Sequence, residues 1–231
     1  MSDEPRTRVE TIYRRLRTEI LSGRHEPGSR LLAAALCERY GISSGVLREV
    51  LPRLAGEGLV VSEPNRGFRV AAVSVDDLYQ LTEARVLIES VTLRQAIEHG
   101  DVKFEADLVA AHHTLASTEP LDAGGAVRDV WLEAHATFHR NLLAGSPNLR
   151  LRTIADSLRD ATEVYRCWSD QLGDEPDRDV AGEHRRILEA TLARDADRAV
   201  GELTEHIERT TRVLLRARPS VMEAAGQAIA Q

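Results

Sequence analysis

Eight histidines are spread along this sequence, at positions 25, 99, 112, 113, 135, 139, 184 and 206. Four of them interrupt apolar stripes. Trp131, Leu132, His135, Phe138, His139 and Leu142 recur at helical spacing, with His135 and His139 one turn apart. Side chains at i and i+4 have Cβ atoms about 5–6 Å apart, which suits a single metal ion. His184 aligns with Ile187, Leu188 and Thr191, and His206 aligns with Leu203, Ile207, Thr210 and Val213. Imidazoles turned inward on three helices each need a partner. Taken singly, each reads first as a core histidine bonded to a carbonyl or an acid. Taken together, a shared divalent cation would satisfy all four. His112 and His113 are adjacent on another helix and read as surface or capping residues.

Arg85 is the next candidate. It shares the face of Leu78, Leu81 and Ile88, so its guanidinium calls for a carboxylate. Glu89 at i+4 and the carboxylate of a bound ligand both answer that need. Catalysis has little support. His135-x-x-x-His139 looks like half of a zinc-protease helix, but Ala136 stands where the catalytic glutamate belongs. No serine or cysteine nucleophile is paired with a base by motif, and no glycine-rich phosphate loop is present. No catalytic residue is assigned, so the chain does not read as an enzyme; a metal-dependent hydrolase is the enzymatic alternative.

These residues sit in a chain of 231 residues that is 42% hydrophobic, 29% charged and 4% aromatic, with a net charge of −7. The apolar fraction argues against wholesale disorder. No apolar run reaches about 18 residues, so no membrane partner is expected. The N-terminus lacks a signal-peptide pattern, and Cys37 and Cys167 fit neither a disulfide framework nor a CxxC metal pattern, so a cytoplasmic setting is expected. Lys103 is the only lysine, so anion contacts fall to arginine and its bidentate fork. Residues 1–74 carry twelve arginines and nine acids, a net of +3, while the remainder carries −10. A nucleic-acid-binding head on an acidic sensor body has this polarity, as does chance surface variation.

The elements that must position these groups follow from periodicity. Ile12, Leu16, Ile20 and Leu21 predict a helix from about Val9 to Ser22. After the Glu26–Ser29 turn, a short helix carries Leu32, Leu36 and Tyr40 and stops at Gly41. Ser43 is placed to cap a third helix carrying Val46, Leu47, Val50, Leu51 and Leu54, with Pro52 inside it and Gly56 and Gly58 closing it. Leu59–Val61 and Phe68–Val70 flank a Pro/Asn/Gly turn and predict a hairpin. Three helices and a hairpin in this order describe a winged helix-turn-helix. Beyond Val73 the strand signals end. Helices are expected at about 75–98, 103–117, 125–144, 148–171, 179–194 and 196–217, an all-helical bundle of about six helices. The fold class is therefore mostly α, with a small β-hairpin near the N-terminus. A short linker, Ala71–Ser74, joins head and body.

The segments Glu26-Pro27-Gly28-Ser29-Arg30-Leu31, Leu36 through Leu51, and Leu54-Ala55-Gly56-Glu57-Gly58-Leu59-Val60 resemble the N-terminal domain of GntR-family transcription regulators. The body is similar to the FCD ligand-binding domain of the FadR subfamily. The resemblance covers the chain to about residue 217. It implies a DNA-binding winged helix-turn-helix over 1–73, an effector-binding and dimerisation domain over 74–218, and a tail over 219–231. It also implies a homodimer that binds palindromic operator DNA, usually as a repressor, and lets go when a small metabolite occupies the body. A DNA-binding architectural protein that senses nothing is the remaining alternative.

In such a head the recognition helix presents its N-terminal end to the major groove. Here that end holds Ser43, Ser44, Gly45, Leu47 and Arg48, with Arg48 one turn in and able to fork onto guanine. Arg66 and Gly67 at the hairpin tip are placed for the minor groove or backbone, and Arg53 for phosphate or solvent rather than a base. Ser44 and Ala34 stand where the family usually has arginine, and Val46 where it usually has proline, which implies an altered operator or weaker, less salt-dependent binding. In the body, similar domains hold a divalent ion with an Asp-x-x-x-His pair and one histidine in each of two later helices. His139, His184 and His206 match the three histidine positions, and His135 stands in for the aspartate. An all-imidazole set is neutral and suits zinc or nickel first, and copper also, over harder ions. Ligand imidazoles must be deprotonated, so binding should weaken below about pH 6. Arg85 falls where the family's first body helix turns an arginine to the ligand cavity, implying a small carboxylate effector.

Overall fold

The computed structural model describes residues 4–21, 24–64, 66–72, 74–123, 127–168 and 178–217; the side chains of 4–7, 164, 166–168 and 217 are not among them. The expected tail, 219–231, lies outside this set, as do Ser22 and Gly23. The chain condenses into two compact units, one of Met1–Leu81, Ser157–Gln171 and Leu214–Gln231, the other of Thr82–Asp156 and Leu172–Val213, each as far as it is described.

In the first unit α1 (Glu4–Leu21), α2 (Ala33–Tyr40) and α3 (Ser44–Gly56) precede the wing. The i, i+4 row Ile12, Leu16 and Ile20 is buried against Leu47, Val50, Leu51 and Leu54 of α3 in one apolar cluster. Gly41 ends α2 in the left-handed conformation, φ 61°; its N–H reaches Glu38 O and that of Ile42 reaches Cys37 O, a Schellman closure. Gly58 (φ 73°) does the same after α3, with Leu59 N–H on Leu54 O. The helix continues through Pro52, whose missing N–H leaves the Arg48 carbonyl without its helical donor. The wing holds β2 (Val60–Glu63) and β3 (Gly67–Val70) in antiparallel register, Val60 opposite Val70 and Glu63 opposite Gly67. A third strand, β1 (Arg30–Leu31), pairs with β3 to give the order β1-β3-β2. The expected hairpin is thus a three-stranded sheet. A two-residue strand has no periodicity to read and exists only because β3 offers it a free edge.

Among the described residues six helices follow: α4 (Val75–His99), α5 (Val102–Ala116), α6 (Asp129–Leu143), α7 (Leu149–Trp168), α8 (Val180–Leu192) and α9 (Ala196–Ala217). Ser74 caps α4, its Oγ taking the Asp77 N–H at 3.0 Å. Asp101 and Asp179 cap α5 and α8, accepting from Phe104 N and Gly182 N at 2.8 Å each. The second unit has its own core, in which Phe138, Leu93, Leu108, Leu142, Ile187 and Leu203 are fully enclosed. In the first unit α1 begins at Glu4, five residues before the expected Val9, and two ends in the later helices also differ from expectation. The α6 helix starts later, because Val127 pairs with Leu121 in an isolated bridge and Arg128 takes the N-cap place. The α8 helix ends earlier, because Ala193 turns and Arg194 adopts φ 55°. Residues 125–126 and 169–171, also expected as helix, lie outside the described set. No helix among the described residues is long and apolar enough to cross a membrane.

Candidate functional site

The second unit gathers His135 and His139 of α6, His184 of α8 and His206 of α9 into one cluster. One ring nitrogen from each lies within 4.8 Å of the others. All four are buried, at 5%, 1%, 2% and 4% exposure. Ring centroids are 4.6 Å apart for His135 and His139, 4.8 Å for His184 and His206, and 5.3 Å for His139 and His184. The helical pitch accounts for the first pair; the apolar faces of α6, α8 and α9 packing on one core bring in the others. Trp131 stacks on His135 at 4.9 Å, and Phe138 stands edge-on to His139 and His184. The donors are borderline imidazole nitrogens, screened from water by aromatic rings and numbering four, which is the donor set and coordination number of a tetrahedral zinc-type site. The residues present therefore fit a divalent transition-metal ion.

Two residues of this centre carry no periodic signal. His206 Nδ1 is 2.8 Å from Glu183 Oε2. Glu183 also receives a fork from Arg178, Nε at 2.9 Å and a terminal nitrogen at 2.7 Å. Burial alone would push the Glu183 carboxyl up, but the hydrogen bonds from His206 and Arg178 outweigh it and hold it at about 2. A buried carboxylate thus stands beside a set that composition alone makes neutral. Glu183 is next to His184 on the helix, where reading a single apolar stripe passes over it; an acid beside a candidate ligand was the available signal.

Arg85 is buried and bonded to Glu89 at 2.7 Å. His113 is exposed, as expected for a surface residue. His112 is instead half-buried, 5.6 Å edge-on from the Phe138 ring, and burial pushes its ionisation down. The expectation of a surface or capping residue fails for His112 because α5 packs against α6 there.

In the first unit Ser43, Ser44, Gly45 and Arg48 are all exposed at the start of α3, whereas Leu47, expected beside them, is 2% exposed because it packs into the core that α3 shares with α1. Ser43 occupies the N-cap position, but its hydroxyl makes no capping bond; the first turn closes through Val46 N–H on Ser43 O at 3.2 Å. The expected cap is therefore one of position only. Arg48 has no ion pair or hydrogen bond among the described residues. Arg53 is engaged: it binds Glu10 at 3.1 Å and lies 3.9 Å over the Tyr13 ring. Arg66 and Gly67 are exposed at the wing turn, with Gly67 at φ 87°. Ala34 and Ser44, at the positions without the usual arginine, are exposed as well.

Against known protein families, residues 8–70 match "Bacterial regulatory proteins, gntR family" and residues 80–209 match "FCD domain". The chain belongs to the GntR family, in its FCD-bearing branch. Among curated relatives of this GntR-family chain, the HTH-type transcriptional repressor GlaR of Escherichia coli K12 is 33% identical over 84% of this chain and 90% of its own. The HTH-type transcriptional regulator BphR of Paraburkholderia xenovorans LB400 is also 33% identical, over 90% of this chain and 86% of its own. The solved structure of E. coli McbR/YncC superposes with a TM-score of 0.72 over 90% of this chain and 97% of its own; at 19% identity it shares the fold. Transcription regulation through a DNA-binding winged helix-turn-helix is the function class of this family.

Proposed function

We propose that this GntR-family chain is a metabolite-responsive repressor that binds a palindromic operator as a homodimer. Residues 1–73 form the DNA-binding domain and residues 74–218 the effector-binding and dimerisation domain. Ser43, Ser44, Gly45 and Arg48 meet base edges and adjacent phosphates, with Arg66 and Gly67 reaching the flanking backbone or minor groove. Arg53 joins them at phosphate only by leaving Glu10 and Tyr13. Repression is the reading carried by the name of the relative GlaR.

The observation that carries the sensing half is the convergence of four buried histidines in the helical unit. His135, His139, His184 and His206 would hold a divalent ion, zinc or nickel first, and such an ion would supply Lewis-acid coordination for ligand oxygens by expanding beyond these four donors. Phe138 and Trp131 exclude water from the imidazoles. Arg85 is the cation that meets the carboxylate of a small organic acid, exchanging Glu89 for the ligand. Ligand occupancy then alters the spacing of the two recognition helices through the linker Ala71–Ser74 and α4, since half-sites demand a fixed helical phase.

The test is operator binding by the full chain on DNA flanking its own gene, at fixed salt, with zinc or nickel present and a panel of small carboxylates. Retardation that one carboxylate abolishes supports the reading. Binding that ignores every carboxylate and the metal favours an architectural role, and no binding under any condition overturns the DNA assignment.

A further inference from the structure

We infer that Glu183 and Arg178 are positioning residues for the histidine centre: Glu183 fixes the tautomer and angle of His206, and Arg178 fixes Glu183. This rests on the metal reading above. The His206–Glu183 bond, 2.8 Å long, joins two side chains that are 4% and 5% exposed. A carboxylate accepts and does not donate, so the proton of that bond belongs to Nδ1 of His206, and Nε2 is left with its lone pair as the ligand atom. The ring's centroid is 4.8 Å from that of His184 and 5.3 Å from that of His139.

The carboxylate is itself held. Arg178 forks onto both Glu183 oxygens, and the same terminal nitrogen that reaches Oε2 donates to Thr210 Oγ1 at 3.0 Å and to the His206 carbonyl at 3.4 Å. Arg209 approaches Glu183 Oε1 at 3.5 Å from α9. Arg178 thus ties the entry of α8 to the backbone of the residue whose ring Glu183 orients. A plain structural ion pair would need Arg178 and Glu183 but would not need the histidine nitrogen. A carboxylate that orients a ligating imidazole and raises its basicity needs all three, and loss of such a partner typically weakens metal binding about 10–100-fold.

The test uses the full chain and zinc alone, titrated against a chromophoric chelator, with the cobalt-substituted electronic spectrum and 15N-histidine NMR of the metal-free chain as further readouts. Glu183→Ala is expected to weaken zinc binding about 10–100-fold, to shift the cobalt bands, and to convert His206 from one tautomer to a mixture. Glu183→Gln keeps the volume and an acceptor oxygen, so the tautomer is expected to persist while affinity falls about tenfold. Wild-type zinc affinity and an unchanged cobalt spectrum in Glu183→Ala overturn the inference; should that variant fail to fold, the same result in Glu183→Gln does so. If the wild type takes up no zinc, the metal reading falls instead. The NMR of the metal-free wild type then judges the Glu183–His206 pairing alone, and a His206 protonated at Nε2 overturns it.

Discussion

Arg85 and Glu89, one turn apart on α4, form an ion pair of 2.7 Å whose side chains are 7% and 1% exposed. Removing one partner of such a pair leaves an uncompensated buried charge, a loss of about 3–5 kcal/mol. Arg85→Ala is therefore expected to lower the unfolding free energy by about that amount, while Arg85→Met combined with Glu89→Leu recovers most of it. Chemical denaturation of the wild type and these two variants checks this. If Arg85 also receives the effector, Glu89→Gln releases its guanidinium and is expected to tighten carboxylate binding, read as a larger thermal shift at equal ligand. A smaller shift would place the effector elsewhere.

Arg48 is exposed and makes no side-chain bond among the described residues. Arg48→Ala should change stability by no more than about 0.5 kcal/mol. It should cost about 1–3 kcal/mol of discrimination at the base it reads. Parallel melting curves and competition binding against scrambled DNA separate the two effects. A stability loss with unaltered specificity would return Arg48 to a structural role.

His184 supplies one donor of the four-histidine set. A ligand present at a hundred times its Kd stabilises the fold by about 2.7 kcal/mol. Adding a strong chelator should therefore lower the melting temperature of the wild type and leave that of His184→Ala unmoved. Metal content measured by mass spectrometry should fall in the same variant. Full metal stoichiometry in His184→Ala would reject the site.

Glu19 links the head to pH. It is buried at 2% exposure, accepts the Tyr40 hydroxyl at 2.7 Å, and faces Arg15 at 3.2 Å, Arg39 at 3.1 Å and His25 at 3.5 Å. Burial pushes its carboxyl up, but Tyr40, Arg15 and Arg39 outweigh that and hold it below the usual carboxylate range. The folded state therefore favours the ionised form. The stability this contributes is fully present above the unfolded value, about 4.3, and is lost as pH falls through the lower folded value. Urea midpoints between pH 7 and pH 3 should fall more steeply for the wild type than for Glu19→Gln. Parallel slopes would mean that Glu19 is not among the groups responsible.

Much of this protein is legible in its residues because periodicity and punctuation are local. The i, i+4 rows of α1 and α3, the glycines at 41 and 58 and the capping Ser74 each act within a few residues, and their elements lie where the pattern predicts, except that α1 begins at Glu4 rather than near Val9. The inward row of His135 and His139 is legible for the same reason, since helical pitch alone sets one beside the other. What only the tertiary structure decides is everything that depends on which faces meet. The two-residue strand β1 exists by courtesy of the β3 edge. Arg53 lies on Tyr13 because α1 packs against α3. Glu183 reaches His206 because α8 and α9 bury their faces together, bringing into hydrogen-bond range two groups 23 residues apart. Burial and pairing at such distances arise from packing, and no spacing along the chain encodes them.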